Sequence, residues 1–398
     1  MLKQKSISDL SFDNTEIGFK HLSKKELKKA YWLFKIISNP FLSKAGPFFT
    51  KTALFLGLPV SEIIRKTLFK QFCGGETIDE CTPVILRLFS NRIGSILDYS
   101  VEGENQELVF DRTAQQILKS INKAVEMPDA VPFCVFKITG LARFSLLEKI
   151  AQKSKLQNFE ELEWHKAIAR IDLICKTASE FYQPVMIDAE ESWIQDVIDE
   201  VAMQMMRTYN QRKAVVFNTY QLYRKDKLES LIADATVAQT QGFILGAKLV
   251  RGAYLEKELK RATEKDLPSP IHINKQMTDS DYDAAVSFCM DNLKNVAVVV
   301  ATHNRHSCEV LVEKMEQLQI PFNHPHVYFA QLLGMSDNIS FNLAAYSFNV
   351  AKYVPYGPIK SVLPYLFRRA QENTAIAGQI GRELSLIKKE LKRRKGVN

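Results

Sequence analysis

From about residue 95 onward, short apolar stretches alternate with segments long enough to form amphipathic helices. The stretches are rich in β-branched residues and almost continuously apolar, which is typical of parallel strands buried on both faces and joined by helical crossovers. Eight stretches occur, the number that a (β/α)8 barrel of the TIM type requires. The predicted strands are Ser95–Val101, Pro132–Thr139, Val185–Asp188, Ala214–Asn218, Gly246–Val250, Val296–Thr302, Val327–Gln331 and Ser347–Val354.

Residues 1 to about 92 lack this alternation and instead show apolar positions at helical spacing. The helices predicted there are Lys24–Ser38, Phe48–Leu56, Ser61–Phe72 and Pro83–Asn91. We therefore predict an α/β fold in three parts. A helical extension covers 1–92, the barrel covers 93–380, and a basic C-terminal tail covers 381–398.

Polar side chains appear abruptly where each predicted strand ends. In a (β/α)8 barrel the carboxyl ends of all the strands open onto one face, and active sites lie there. We therefore expect these side chains to line a single mouth, although polar residues also begin the loops of any α/β protein. The endings start at Asp98, Lys137, Asp188, Asn218, Arg251, Thr302, Gln331 and Tyr353.

The segment that follows the last strand carries the most specific polar pattern. If it forms a helix, four polar side chains fall at i, i+3, i+4 and i+7 on one face, where a stripe of apolar residues is usual. Two adjacent guanidinium groups on that face could bind a small carboxylate. The alternative is a solvated face with i,i+4 ion pairs. The four residues are Tyr365, Arg368, Arg369 and Glu372.

Charged residues at two other strand ends have alternative interpretations. Lys137 could pair with a substrate carboxylate, form a salt bridge with Asp188, or form a Schiff base if it is desolvated. Lys248 and Arg251 place two cations at one strand end, which suits an anion or an electron-rich ring that gains negative charge on reduction. Gly252 then permits a close backbone approach before Tyr254.

Histidines in the second half of the chain raise the question of a metal site. His303 and His306 have a spacing seen in zinc sites, but no carboxylate pattern completes a ligand set, and we predict no metal. We expect His303 and its neighbours to hydrogen-bond a ligand's phosphates or heterocycle. Neither a Gly-x-Gly-x-x-Gly motif after a strand nor a P-loop occurs in the sequence.

The net charge of +8 is concentrated at the two ends of the chain, in Lys24–Lys29 and in residues 382–395. Such runs usually form solvated helix faces. Attraction to an anionic membrane is the next alternative, whereas nucleic acid is disfavoured because no basic and aromatic residues interleave. The six cysteines show no paired spacing, which indicates reduced thiols. We predict a cytoplasmic protein, and leave open a peripheral contact on the inner face of the membrane.

Five polar motifs follow one another along the chain. They are Met186-Ile-Asp-Ala-Glu190, Phe217-Asn-Thr-Tyr220, Lys248-Leu-Val-Arg-Gly-Ala-Tyr254, Thr302-His-Asn304 and the run from Tyr353 to Asn373. Together they resemble the proline dehydrogenase family over roughly residues 95–380, and the helical N-terminus is similar to its monofunctional, eukaryote-like branch. The resemblance implies a (β/α)8 barrel that holds FAD at the carboxyl ends of the strands.

The resemblance also implies roles for individual residues. Arg368, Arg369 and Lys137 would bind the proline carboxylate, and Glu372 would hold the arginine pair. Lys248 would lie near the flavin N5 atom. The residues expected to enclose or support the substrate ring are Asp188, Tyr254, Leu332, Tyr353 and Tyr365. Those expected to contact the cofactor are Asp188, Asn218, Lys248, Arg251, Gly252, Thr302, His303 and Asn304.

The implied reaction is the FAD-dependent oxidation of L-proline to Δ1-pyrroline-5-carboxylate, with hydride transfer from C5 to flavin N5. Because no nicotinamide-binding fingerprint occurs, we expect the electrons to pass to an external carrier such as a membrane quinone. Lys248 and Asn218 stand where the bifunctional bacterial branch usually has Arg and Gln. A Schiff-base lyase that uses Lys137 or Lys248 without flavin is the competing hypothesis, and an oligomer remains possible.

Overall fold

The structure is a computed structural model that describes residues 9–39, 60–100, 106–375 and 379–396. Within these ranges, the side chains at positions 60, 61, 369–375, 379 and 380 are not described. The predicted helix Phe48–Leu56 and the end of the first predicted strand at Val101 therefore lie outside the described residues, as do the side chains of Arg369 and Glu372.

Eight parallel strands form one closed barrel in sequence order. This confirms the predicted (β/α)8 architecture. In the described registers each strand runs beside its successor, for example Cys134 beside Val185 and Lys248 beside Val299. The strands are β1 (Ile93–Tyr99), β2 (Phe133–Phe136), β3 (Val185–Ile187), β4 (Val216–Gln221), β5 (Leu245–Val250), β6 (Val296–Ala301), β7 (Val327–Leu332) and β8 (Val350–Tyr356).

Three strands extend further toward their carboxyl ends than predicted. β4 continues to Gln221, β7 to Leu332 and β8 to Tyr356. In β4 the polar residues stay in the strand because their side chains are bound: Tyr220 Oη donates to Asp234 at 2.8 Å, and Gln221 Nε2 donates to a backbone carbonyl at 2.7 Å. The polar residues therefore led to a prediction that ended this strand too early.

The N-terminal helices begin close to the predicted positions. The helix Lys24–Ile37 opens with a capping box. The Ser23 hydroxyl accepts from the backbone N–H of Glu26, and the Glu26 carboxylate accepts from the backbone N–H of Ser23. After α1 (Thr15–Gly18) and α2 (Lys24–Ile37), α3 comprises Val60–Ile64, a π-helical turn Arg65–Phe69 and Lys70–Phe72. A 3-10 turn at Asp79–Cys81 precedes α4 (Thr82–Phe89).

Most of the helices that follow the strands bury one face and expose the other, whereas the helix Asp337–Ala345 is buried at every residue except Ala345. A further 3-10 turn, Ile138–Gly140, follows β2 directly. The helices are α5 (Glu107–Glu126), α6 (Phe144–Ala151), α7 (Asn158–Glu180), α8 (Ser192–Tyr209), α9 (Lys227–Gln241), α10 (Leu255–Glu264), α11 (Lys275–Asp291), α12 (Arg305–Gln317), α13 (Asp337–Ala345), α14 (Ile359–Ala375) and α15 (Gln379–Arg393).

By contacts, the chain groups into two compact units. The first comprises Met1–Ser95, Ser100–Glu102 and Gln331–Asn398, and the second comprises Ile96–Tyr99 and Gly103–Ala330. The core of the second unit includes Phe133, whose ring meets Phe217 and Tyr328 edge-on at centroid distances of 5.5 and 4.9 Å. In the first unit α1, α2 and α15 pack together, and Leu27, Phe34 and Ile387 are buried. The predicted division at 92 and 380 stays a prediction.

Candidate active site

In the second unit, an ion pair lies at the ends of β3 and β5. Lys248 is 3% exposed, and its Nζ contacts Oδ1 of Asp188. Asp188 is held in turn because its backbone N–H donates to Phe136 O at 2.9 Å, which continues the β2–β3 ladder past the strand end. A buried ammonium group needs such a partner to offset its desolvation. The structure thus brings together two residues predicted for the site.

Lys137 and Tyr254, each predicted for the site, also meet in this unit. Lys137 Nζ lies 3.5 Å from Tyr254 Oη, and Tyr254 is buried. The ring of Tyr254 is also covered by Lys257, whose Nζ lies 5.2 Å from the ring centroid. The ammonium group of Lys137 therefore lies beside a buried phenol whose ring also contacts Lys257.

Arg251, which follows β5, makes side-chain contacts with α11, with the residue after β6 and with α12. Its Nε donates to Asp279 at 2.7 Å, and its two terminal nitrogens donate to Thr302 Oγ1 at 2.7 Å and Ser307 Oγ at 2.9 Å. The guanidinium also lies 4.3 Å from the ring centroid of Tyr282. Arg251 and Thr302, two residues predicted to contact the cofactor, thus contact each other, and the guanidinium joins the loops after two strands.

The other predicted cofactor residues near this position shape the backbone. Asn304 caps α12, because its Oδ1 accepts from His306 N at 2.9 Å. Thr302 Oγ1 accepts from Asn304 N at 3.0 Å, and His303 lies between them. Gly252 has φ +133, and a Cβ there would lie 2.4 Å from the ring of Tyr223. Only glycine fits this turn.

Asn218 is directed into a buried polar network. It is fully buried; its Nδ2 donates to Asp199 Oδ1 at 2.9 Å, and its Oδ1 accepts from Thr219 N at 2.8 Å. Asp199 also accepts from Lys227 and Gln195. The predicted contact of Asn218 with a cofactor stays a prediction, and the structure shows the contacts that this amide makes within the protein.

Glu190 was assigned no role from the sequence, yet it is among the most constrained groups in the second unit. It is 3% exposed, and both carboxylate oxygens accept hydrogen bonds from Thr139. Burial raises the pKa of Glu190 to about 7, against the opposing effects of Lys137 and the Thr139 hydrogen bonds. The available signal was its position two residues after Asp188 at the end of a strand.

In the first unit, Leu332 and Tyr353 lie on the neighbouring strands β7 and β8. Leu333 N donates to Tyr353 O at 3.0 Å, and Tyr353 is buried. Tyr365 on α14 is also buried and belongs to a hydrophobic cluster with Leu363 and Leu366. Arg368 lies one turn further along and is half-buried. The predicted helix therefore forms, and Tyr365 is buried on it together with Leu363 and Leu366.

A buried ionic cluster in the same unit is formed by Lys352 of β8, Asp337 and His21. Lys352 is fully buried; its Nζ donates to the carbonyls of Leu332 and Met335 at 3.2 and 2.7 Å and lies 2.7 Å from Asp337 Oδ1. Asp337 Oδ2 lies 3.1 Å from Nε2 of His21, whose ring stacks on Phe341. Burial acts to raise the pKa of Asp337, but Lys352 and His21 lower it well below its ordinary value.

Glu383 of α15 adds a second carboxyl group to this ionic cluster. Burial raises its pKa from 4.5 to about 7; Asp337 adds to the rise, while Lys352 and a hydrogen bond from the backbone of Ser336 oppose it. Because the pKa is raised on folding, the contribution to stability is present below pH 4.5 and is lost as the pH rises through 7.

We expect Glu383→Gln to stabilise the protein at pH 8 by on the order of 3 kcal/mol, since it removes a buried charge at that pH, and to change little at pH 4.5. Chemical denaturation at the two pH values measures this difference. Glu390→Gln is the matched control. Burial acts to raise the pKa of Glu390, but Arg393 and Arg394 lower it, so this substitution is expected to destabilise at pH 8. A Glu383→Gln effect that is equal at both pH values would contradict the assignment.

Among the described residues, no group of three or more His, Cys, Asp or Glu side chains is arranged to hold a metal ion. The helices of the described ranges also include none that is both long and apolar enough to cross a membrane.

Solved structures with this fold include proline utilization A (PutA) from Bdellovibrio bacteriovorus inactivated by N-propargylglycine. It superposes with a TM-score of 0.73 at 19% sequence identity, over 95% of this chain and 40% of the other. PutA from Bradyrhizobium japonicum gives a TM-score of 0.66 at 20% identity, over 93% of this chain and 42% of the other. The chain thus spans about two fifths of these solved proteins, and the likeness concerns the fold.

Sequence comparison gives the family. The chain is 33% identical over 417 residues to "Proline dehydrogenase 1, mitochondrial" of Dictyostelium discoideum, covering 93% of this chain and 72% of that protein. It is 35% identical to the carbapenem antibiotics biosynthesis protein CarD of Pectobacterium carotovorum subsp. carotovorum, covering 81% and 83%. The human protein "Proline dehydrogenase 1, mitochondrial" is 40% identical over 61% of this chain and 41% of its own length. The sequence pattern of the proline dehydrogenase family matches residues 81–382, and the chain therefore belongs to that family.

Proposed function

We propose that this oxidoreductase uses FAD to convert L-proline to Δ1-pyrroline-5-carboxylate. The observation that carries the proposal is the buried ammonium of Lys248, at a strand end of a barrel whose sequence matches the family. A cation in a buried position is costly unless it serves or is paired with a negative charge. Asp188 pairs with it in the structure, and a ring that gains electrons would supply further negative charge.

The residues of the second unit fit a flavin in their chemistry. A flavin has a planar ring that becomes more negative on reduction and a polar tail with two phosphates. Lys248 offers a buried cation for the ring, and Thr302, His303 and Asn304 offer polar groups at the end of β6. Arg251 holds this loop in place through Thr302 and Ser307. We propose that these residues, with Gly252, Asp188 and Asn218, hold or support the cofactor.

We propose roles in substrate recognition for the charged and aromatic side chains that the family resemblance indicates. Lys137, Arg368 and Arg369 would bind the carboxylate through charge-assisted hydrogen bonds, and Glu372 would hold the arginine pair. The buried ring of Tyr254 supports Lys137, as the 3.5 Å contact indicates. The residues proposed to enclose the substrate ring are Leu332, Tyr353 and Tyr365.

In the proposed reaction the protein mainly supplies orientation. FAD, if bound by these residues, would supply the acceptor, at its N5 atom, for the hydride that C5 of proline loses. The ring nitrogen of proline must be neutral when the hydride leaves, so its ammonium form has to lose one proton beforehand. Loss of the hydride from C5 then leaves an iminium, which releases its remaining N–H proton to give Δ1-pyrroline-5-carboxylate. Fixing the carboxylate at the cationic residues would set the position of C5, and the enclosing side chains would exclude water from the ring.

A visible absorption spectrum of the purified protein tests the proposal against a Schiff-base lyase. We expect flavin bands that bleach when L-proline is added without oxygen, because the ring is reduced by substrate. The lyase hypothesis predicts a colourless protein in which borohydride traps a substrate adduct on Lys137 or Lys248. A protein that neither contains nor takes up FAD would overturn the oxidoreductase mechanism proposed here.

We further propose that the electrons pass to a quinone-type acceptor and that a peripheral contact with an anionic membrane brings the two together. In the C-terminal tail, several cations already bind other parts of the first unit: Arg394 donates to Phe19 O and Leu22 O, and Arg382 pairs with Asp13. The outer face of α2 instead carries five exposed lysines beside Trp32, which is 58% exposed. These are Lys24, Lys25, Lys28, Lys29 and Lys35. This face suits an anionic surface.

Flotation with anionic liposomes measures this contact. We expect binding at low salt that is lost at high salt, and a clear reduction in the double variant Lys28→Glu/Lys29→Glu, since each lysine near the surface contributes about 1 kcal/mol. The double variant Lys119→Glu/Lys176→Glu makes the same change in net charge at exposed positions of the second unit. Equal flotation of the two double variants would contradict a contact through α2.

A further inference from the structure

Glu190 connects the end of β3 to the turn that follows β2. Its Oε1 accepts from the backbone N–H of Thr139 at 3.0 Å, and its Oε2 accepts from the Thr139 hydroxyl. Both oxygens therefore serve one residue, two positions beyond Lys137. Lys137 itself caps the 3-10 turn Ile138–Gly140, since its carbonyl accepts from Gly140 N at 3.1 Å.

Glu190 is itself fixed on both sides of its backbone. Its N–H donates to Gln195 Oε1 at 2.7 Å, and its carbonyl accepts from Gln221 Nε2 at 2.7 Å. Gln195 continues to Asp199, which binds Asn218 and Lys227. The carboxylate therefore stands on a continuous hydrogen-bonded network that joins the ends of β2, β3 and β4. Such networks rigidify a site when every member is satisfied.

We propose that Glu190 is a positioning residue for Lys137: through Thr139 it fixes the turn that carries the lysine and so sets the affinity for the substrate carboxylate. The assignment rests on the proposed role of Lys137 in carboxylate binding. Three observations carry it, namely the bidentate contact to Thr139, the fixed backbone of Glu190, and the electrostatic interaction between Glu190 and Lys137. A group that supports ground-state binding alters KM rather than kcat.

The substitutions Thr139→Val and Thr139→Ser separate this role from a general structural one. Valine keeps the branched shape but removes the hydroxyl, whereas serine keeps the hydroxyl. We expect Thr139→Val to raise KM for L-proline about tenfold with kcat within about twofold, and Thr139→Ser to stay within about twofold of the parent protein in both constants. Flavin content is expected to match the parent in both variants.

Two small ligands report which part of the substrate is affected. Tetrahydro-2-furoate has the ring and the carboxylate without the amine, and pyrrolidine has the ring and the amine without the carboxylate. In Thr139→Val we expect the inhibition constant of tetrahydro-2-furoate to rise by the same factor as KM, and that of pyrrolidine to stay unchanged. An equal loss for both ligands would mean that the whole site has loosened, and would overturn the assignment.

Glu190→Gln provides an independent test if Thr139→Val does not fold. Glutamine keeps an acceptor for Thr139 N and removes the charge beside Lys137, so KM and the tetrahydro-2-furoate constant are expected to rise while pyrrolidine binding is unchanged. Unchanged constants in a protein with lowered melting temperature would show that the contact only stabilises the fold, and would refute the proposal. Absence of proline oxidation in the parent protein would instead refute the proposed function.

Discussion

Replacement of Arg368 with Met is expected to reduce kcat/KM for L-proline. The expected loss of transition-state binding free energy is about 2–5 kcal/mol, the range for losing one partner of a desolvated charge pair. Arg368 is half-buried on α14, one turn after the buried Tyr365. Methionine keeps much of the length of the side chain and removes the charge. Most of the loss is expected in KM, and flavin content is expected to remain normal.

Steady-state kinetics with a flavin assay on the same preparation measures this effect. Arg112→Met is the matched control, because Arg112 is exposed on α5 and its replacement should leave both constants unchanged. The same experiment on Arg369→Met tests the other half of the predicted pair. A variant at either position that loses flavin but binds proline analogues normally would show that this helix face serves the cofactor.

The barrel could be predicted because its strands are local signals. β5 and β6, for example, lie within one residue of their predicted limits, since runs such as Val296–Ala301 are apolar throughout and flanked by helix-length segments. β4 was placed too early because Asn218, Tyr220 and Gln221 look like a loop. Their partners come from helices and strands far along the chain, and no local pattern reports such contacts.

The candidate site was predictable in composition but less so in connectivity. The sequence placed Lys248, Asp188 and Arg251 at strand ends, and the structure pairs the first two and joins the third to Thr302. No pattern in the sequence indicated that Glu190 would bind Thr139. A carboxylate at a strand end can point in several directions. The direction that it takes depends on the register between the strands and on the placement of the surrounding helices, which cannot be read from a single sequence.

Lys352 shows the same limit in the first unit. In the sequence it is one lysine in a strand that also carries Tyr353, and alternation in a β-strand directs the two side chains to opposite faces. Its acceptors are the carbonyl of the last residue of β7 and that of Met335 in the turn that follows. Its ionic partner is Asp337, which also contacts His21 from the far end of the chain. Because these partners are remote in sequence, the buried ionic cluster could be found only in the folded protein.

Lys352→Met is expected to lower the free energy of unfolding by about 3–5 kcal/mol at pH 7, because it leaves the carboxylate of Asp337 buried without its main partner and leaves two carbonyls without a donor. Lys360→Met, at an exposed position of α14, should change it by less than about 0.5 kcal/mol. The double variant Lys352→Met/Asp337→Leu is expected to recover part of the loss, since both charges are then removed.

The pH dependence gives this prediction a definite sign. The pKa of Asp337 is lowered in the folded protein, so its contribution is present above the ordinary carboxyl pKa, near 4, and is lost as the pH falls. The difference between the parent protein and Lys352→Met should therefore narrow as denaturation is measured at lower pH. A difference that stays constant with pH would mean that the loss comes from packing and the carbonyl contacts alone. A stability equal to that of Lys360→Met would show that the buried ionic cluster does not hold the turn after β7 in place.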